Sequence, residues 1–293
     1  MAEHASHFAM TSLRHHYHQA LRRTPVRYAQ FGEDALLSDI FPNATGRVIV
    51  DIGAHDGIIG SNSKLLEQLG WRCILVEPNP SLAALARANR TSEVFECALS
   101  HEEGKAVLTI VGGAPGADGM SGIGLAQSNR ERIKAAGYTT REVAVRTTRL
   151  DTLLEEAGID GRPDVVSIDV EGHEASVLTG FDIRRWAPRL LIVEDNSDYA
   201  DSHIPDWMQM HGYRRVFRSG VNDWYAAIGD RAFDTPANRA YIAWRVATGP
   251  LRRTLRVPVE ALLTSLRPWL TAHPTLKRRL QRTKRWLGIT RTF

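Results

Sequence analysis

The sequence predicts a doubly wound α/β fold that ends in an antiparallel hairpin, and three observations carry that expectation. Short, continuously apolar runs (RVIVDI, RCILVE, DVVSID, LLIVE) recur with helical patterns between them, as parallel strands buried on both faces require. The first run opens into a glycine turn and then a helical pattern, the layout of a ligand-binding strand-to-helix junction. Near the end of this region, YRRVFRS and NDWYAAI are separated only by Gly220 and Val221, which leaves no room for a crossover.

Taken in order, TSLRHHYHQALRR places Leu13, Tyr17, Ala20 and Leu21 on one face of a short amphipathic helix. His15, His16 and His18 lack the i, i+4 spacing of a metal pair and read as solvated. After YAQFGEDALLSDIF come RVIVDI, a helix over 59–69, RCILVE, a helix over 80–89, and the strands VFECAL and KAVLTIV. DVVSID, a helix over 173–180 and LLIVE complete the alternation. Residues 112–124, GGAPGADGMSGIG, hold six glycines and are expected to form neither helix nor strand, serving as a mobile cover or a connector. Beyond the hairpin, Pro258, Pro268 and Pro274 are expected to divide an apolar and basic pattern into short helices. The organisation is therefore a helical extension over 1–27, a main domain over 28–230 and a basic helical extension over 231–293.

Composition narrows the class. No run approaches the length of a membrane span and the N-terminus lacks the apolar stretch of a secretory signal, so a cytoplasmic protein is expected. Cys73 and Cys97, in strands and far apart, read as buried fillers rather than a disulfide or metal pair. The net charge of +4 is uneven: Pro250 to Phe293 carries eleven Lys and Arg against the single acid Glu260, and the remainder is net −6. Such a tail suits an anionic surface, or is a solvated appendage.

The junction VIVDIGAHDGIIGSNSKLLEQLG departs from a dinucleotide fingerprint. The position two after Gly53, where a second glycine would admit a pyrophosphate, is His55. Asp51 and Asp56 add negative charge where a diphosphate would need donors, and suit instead the ammonium and sulfonium of S-adenosylmethionine. Glu77 follows Gly53 by 24 residues at the end of RCILVE, the place from which a carboxylate accepts hydrogen bonds from ribose hydroxyls.

Over residues 28–228 the motifs YAQFGEDALL, VDIGAHDG, VEPNP, CALS, TTRLDTLL, SIDVEGHEASVLTGF and LIVE, in this order and spacing, resemble the FkbM-type methyltransferases. The resemblance implies a class I methyltransferase (Rossmann-like) fold with a seven-stranded sheet, S-adenosylmethionine across the strand ends, and O-methylation of a hydroxyl on a sugar, glycan or related small molecule. It also implies that Asp51, Gly53 and Gly57 form the methionine-side turn, that Glu77 is the ribose ligand and that Ala98 and Leu99 flank the adenine. The same resemblance implies that Gln30 helps close the cofactor pocket and that Asp169, in DVEGHE, lies beside the transferring methyl. His173 stands where the family often has a small or aromatic residue. It is a candidate base for the hydroxyl proton, as is Asp169.

Glu171, Glu174, Glu194, Asp195 and Asp198 form a second acidic collection, of a kind that can hold a divalent ion, but spacing alone does not show that they converge and no metal ligand is assigned. In the tail, Leu251, Leu255 and Val259, then Leu276, Leu280, Trp286 and Leu287, recur among basic residues, as in a helix lying on an anionic bilayer. This would hold the enzyme at the inner face of the membrane near a lipid-linked glycan. Nucleic acid is a poorer partner, since no RNA- or DNA-binding module is present. Two rival functions stand beside the methyltransferase: an NAD-type Rossmann oxidoreductase, and a catalytically silent binding module of the same fold.

Overall fold

A computed structural model describes residues 12–266. Two helices, α1 (Leu13–Arg23) and α2 (Glu33–Ile40), precede β1 (Val48–Ile52), α3 (Lys64–Gln68), β2 (Arg72–Val76), α4 (Pro80–Asn89) and β3 (Glu93–Phe95). Then follow β4 (Ala98–Leu99), β5 (Gly104–Gly112), β6 (Gly122–Ile123), α5 (Gln127–Ala135), β7 (Thr139–Thr148) and α6 (Leu150–Glu156). β8 (Val165–Ile168), α7 (Glu174–Thr179), α8 (Ile183–Trp186), β9 (Leu190–Glu194) and α9 (His203–Met210) lead to the hairpin β10 (Tyr213–Ser219) and β11 (Asn222–Ala227). The long helix α10 (Pro236–Ser265) closes the described chain.

The main sheet has seven strands in the order β10-β11-β9-β8-β1-β2-β3. The five strands from β9 to β3 are parallel, and the hairpin joins β9 antiparallel through β11. Alternation along β1 shows why its sequence is apolar throughout: Val50 and Ile52 enter one core layer with α6 and α7, whereas Ile49 enters the other with α2 and α3. Each such side chain, fully buried, contributes about 1.5–3 kcal/mol. The chain runs outward from β1 to β3, then returns to β8 on the other side of β1. The carboxyl ends of β1 and β8 are therefore a topological switch point, where open α/β sheets bind ligands.

Several sequence expectations are corrected. A second sheet, in the order β4-β7-β5-β6, stands beside the first. VFECAL is not one strand: Glu93–Phe95 pairs with β2, while Ala98 and Leu99 pair with Thr147 and Thr148 in the second sheet. Ala98 and Leu99 thus do not end the third strand of the main sheet. The helix expected over 59–69 is confined to Lys64–Gln68, because Asp56 Oδ1 accepts from the backbone N–H groups of Ile58 and Ile59, 2.8 Å each, and folds 56–59 into a turn. The glycine-rich stretch is more ordered than expected, with a 3₁₀ turn at Asp118–Met120 and β6 paired to β5.

Pro258 does not break the C-terminal pattern, since α10 runs through both Pro250 and Pro258. Each proline removes one helical hydrogen bond. The carbonyls so released belong to exposed residues, Val246 and Thr254, where water can serve them. Pro268, Pro274, Leu276, Leu280, Trp286 and Leu287 lie outside the described residues. The N-terminal histidines are not all solvated: His16 Nδ1 lies 2.9 Å from Asp39 Oδ2.

Candidate active site

A cavity of about 670 Å³ opens at the switch point, lined by the ends of β1, β2, β4 and β8 and by the 116–123 loop. Its floor is the turn after β1. Gly53 has φ +84°, and a Cβ there would lie 1.8 Å from the Asp169 carbonyl oxygen, so the close approach of β1 to β8 demands glycine. His55 also adopts positive φ, 51°, and donates its backbone N–H to Glu77 Oε2 at 2.9 Å. The other Glu77 oxygen accepts from the Asn79 N–H at 2.8 Å. Burial raises the Glu77 pKa to about 7 in spite of these two donors.

Of the residues singled out in the sequence, Gln30, Gly53, Glu77, Ala98, Leu99, Asp169 and His173 all line this cavity. Asp51 and Gly57 do not. The Asp51 carboxylate is buried beneath the turn, accepting from the hydroxyls of Ser63 at 2.6 Å and Ser61 at 3.3 Å. Gly57 is instead a packing position, where a Cβ would meet Arg90 Cγ at 2.8 Å.

Arg90, which the sequence reading overlooked, organises this underside. Its guanidinium reaches the Gly57 carbonyl, the Ser63 hydroxyl and Glu67, at 3.0, 3.1 and 2.9 Å. Nothing in the local pattern marks it, because all three partners lie more than twenty residues away.

The opposite wall comes from DVEGHE. Glu174 Oε1 accepts from the backbone N–H groups of Val170 and Gly172, at 3.2 and 3.0 Å, and so closes the turn that projects Asp169, Glu171 and His173. His173 Nε2 lies 3.4 Å from Ser100 Oγ. Burial, then the neighbouring His101, lowers the His173 pKa below its usual 6.5.

The acidic collection converges only in part. Glu171 and Glu194 meet Asp169, with carboxylate oxygens within 4.8 Å of one another. Glu174 is committed to its turn, Asp195 to Arg218 at 3.0 Å and Asp198 to Arg252 at 3.2 Å. In the trio, burial and mutual repulsion raise all three pKa values, so the group holds protons rather than three charges. Its hard oxygen donors are also those a divalent cation takes.

The Methyltransferase FkbM domain family matches this sequence over residues 51–215. The chain belongs to the FkbM methyltransferase family. The match covers the switch point, Glu77, the second sheet and DVEGHE. Among solved structures, the chain is similar to the methyltransferase FkbM from Methylobacillus flagellatus KT, with 13% identity, a TM-score of 0.36 and 72% of this chain covered. The chain spans 58% of that protein's length. No curated protein matches it.

In this family member the cavity is lined by acidic side chains on one side and apolar ones on the other. Among its lining residues are five carboxylates, Asp56, Glu77, Asp118, Asp169 and Glu171, and neither a lysine nor an arginine. Pro78, Leu85, Cys97, Ala98, Leu99 and Leu108 supply an apolar side. Asp118 comes from the glycine-rich stretch and lies 3.3 Å from His55 Nε2, so that loop forms a wall of the cavity. The sequence offered its glycines as a signal, but not this partner.

Proposed function

We propose that the protein is an S-adenosylmethionine-dependent O-methyltransferase acting on a hydroxyl of a sugar, glycan or related polyhydroxylated metabolite. The observation that carries this reading is the lining: five carboxyl groups with neither lysine nor arginine offer a diphosphate no cation, while a cationic ligand favours ionisation of those that burial keeps protonated. That property argues against NAD and for a ligand with a sulfonium and an ammonium. The residues also fit the rest of such a cofactor. Glu77 retains acceptor capacity for ribose hydroxyls beyond its two backbone donors. Ala98 and Leu99, with the apolar side described above, suit the faces of an adenine.

When bound, S-adenosylmethionine supplies a methyl group on a sulfonium, a leaving group that needs no further activation. What remains for the chain is to position the acceptor, exclude water and take its proton. His173 is assigned as the base at Nε2, because its lowered pKa keeps the imidazole neutral near neutral pH. Asp169, beside Glu171 and Glu194, orients the acceptor hydroxyl. Methyl transfer from radiolabelled S-adenosylmethionine, screened against glycan extracts of the host, tests this. Product that requires His173 supports the assignment; a His173→Ala variant with unchanged rate removes that residue, and the absence of any acceptor removes the enzyme reading.

A further inference from the structure

One stripe of α10 is left uncovered by the described chain. The helix docks through Tyr241, whose ring stacks on Phe217 with centroids 5.5 Å apart. It docks also through Arg252, which reaches Asp198 at 3.2 Å, and Arg253, which reaches the Asp198 carbonyl at 2.6 Å. About a quarter-turn around the helix from this contact, Trp244, Leu251 and Leu262 are 45%, 54% and 57% exposed. Trp244, Leu251, Leu255, Leu262 and Leu266 follow at spacings of seven, four, seven and four, which keeps them on one face. An exposed apolar stripe of this length marks an interaction surface.

Charge selects the occupant. The stripe leads directly into residues 267–293, which hold eight Lys and Arg, no Asp or Glu, and the further tryptophans Trp269 and Trp286. A second copy seated on the stripe would bring two such cationic segments together. Folding the segment back would set it against α10, which itself has five arginines and one acid, Glu260. An anionic bilayer meets both demands at once: the apolar side chains enter the headgroup boundary, and the cations face lipid phosphates.

We propose that α10 lies along an anionic bilayer surface, with the Trp244–Leu262 stripe inserted at the headgroup boundary and the cationic 267–293 segment supplying the electrostatic attraction. Among the described residues no helix is long and apolar enough to cross a membrane, and the contact is one along the surface. This inference is independent of the chemistry assigned to the cavity.

The test is flotation of the full chain with vesicles of phosphatidylcholine alone, or mixed with phosphatidylglycerol. Binding is expected to the mixed vesicles only, and to weaken with salt. The double variant Leu251→Ser, Leu262→Ser should bind roughly tenfold more weakly, with an unchanged melting temperature because both side chains are exposed. Equal binding by the variant, or no binding by the full chain, overturns the proposal. So does a solution dimer that the variant converts to monomer, which would make the occupant a second copy. A nitroxide on Leu262→Cys gives a second reading without removing the stripe, since Cys73 and Cys97 are buried. Its accessibility to oxygen should rise on mixed vesicles; an unchanged, water-exposed value contradicts insertion.

Discussion

Glu77 joins the turn after β1 to the end of β2 through two backbone N–H groups, and burial nevertheless lifts its pKa to about 7. Between its ordinary value of 4.5 and 7, the folded protein keeps a proton that the unfolded chain has released. Stability contributed by this group is therefore greatest below that window and falls as pH rises through it. A ligand whose hydroxyls donate to the carboxylate favours the ionised form and releases the proton. S-adenosylhomocysteine should then bind roughly tenfold more tightly at pH 8 than at pH 6, the ratio of ionised Glu77 at the two values. Calorimetry of Glu77→Gln should show weaker binding with that difference abolished; a persisting difference would assign it to another group. For His173, burial lowers the pKa, so a rate limited by this base rises with pH below 6.5 and is level above. His173→Ala should reduce kcat by about 10²–10³-fold and erase that limb. An inflection on the alkaline side of neutrality would point to the Asp169 and Glu171 pair instead. Gly53→Ala forces a Cβ to within 1.8 Å of the Asp169 carbonyl and should cost about 2–4 kcal/mol by urea unfolding. Gly116→Ala, also at positive φ but with nothing within 4 Å, should cost about 1 kcal/mol.

Among the elements, the strands flanking the switch point were the most legible, because burial on both faces leaves a short apolar run rich in Val and Ile, too short for an ordinary helix. Helix α4 was legible for a local reason too: Pro80 opens it and the Asn79 side chain caps the Ser81 N–H at 3.1 Å. The break inside VFECAL was not legible, since both halves favour strand and the partner of the second, Thr147–Thr148, lies about fifty residues away. Asp51 misled for a similar reason. A carboxylate at a strand end faces either the cavity or the underside, and the hydroxyls of Ser61 and Ser63 decide between them. The role of α10 was also hidden, because its contacts are long-range. Arg252 is 1% exposed and holds Asp198, in the segment that follows Glu194 at the edge of the site. Arg252→Ala leaves that carboxylate without this partner and should destabilise the protein by about 2–4 kcal/mol in urea unfolding. A loss below about 0.5 kcal/mol would mean that water replaces the guanidinium there.

At the scale of the molecule, the return of the chain from β3 to β8 creates the crevice, and the second sheet with the glycine-rich loop walls it. The family resemblance was readable from ordered motifs and is matched over 51–215, yet which of the motif residues face the cavity depends on packing. A lining of carboxyl groups without lysine or arginine disfavours a polyanion and, as those groups ionise, favours a cation. Calorimetric titration of the full chain with S-adenosylhomocysteine and, separately, with NAD tests that preference most directly. One molecule of S-adenosylhomocysteine per chain should bind and NAD should give no heat of binding. Saturable binding of NAD, with none of S-adenosylhomocysteine, would contradict it.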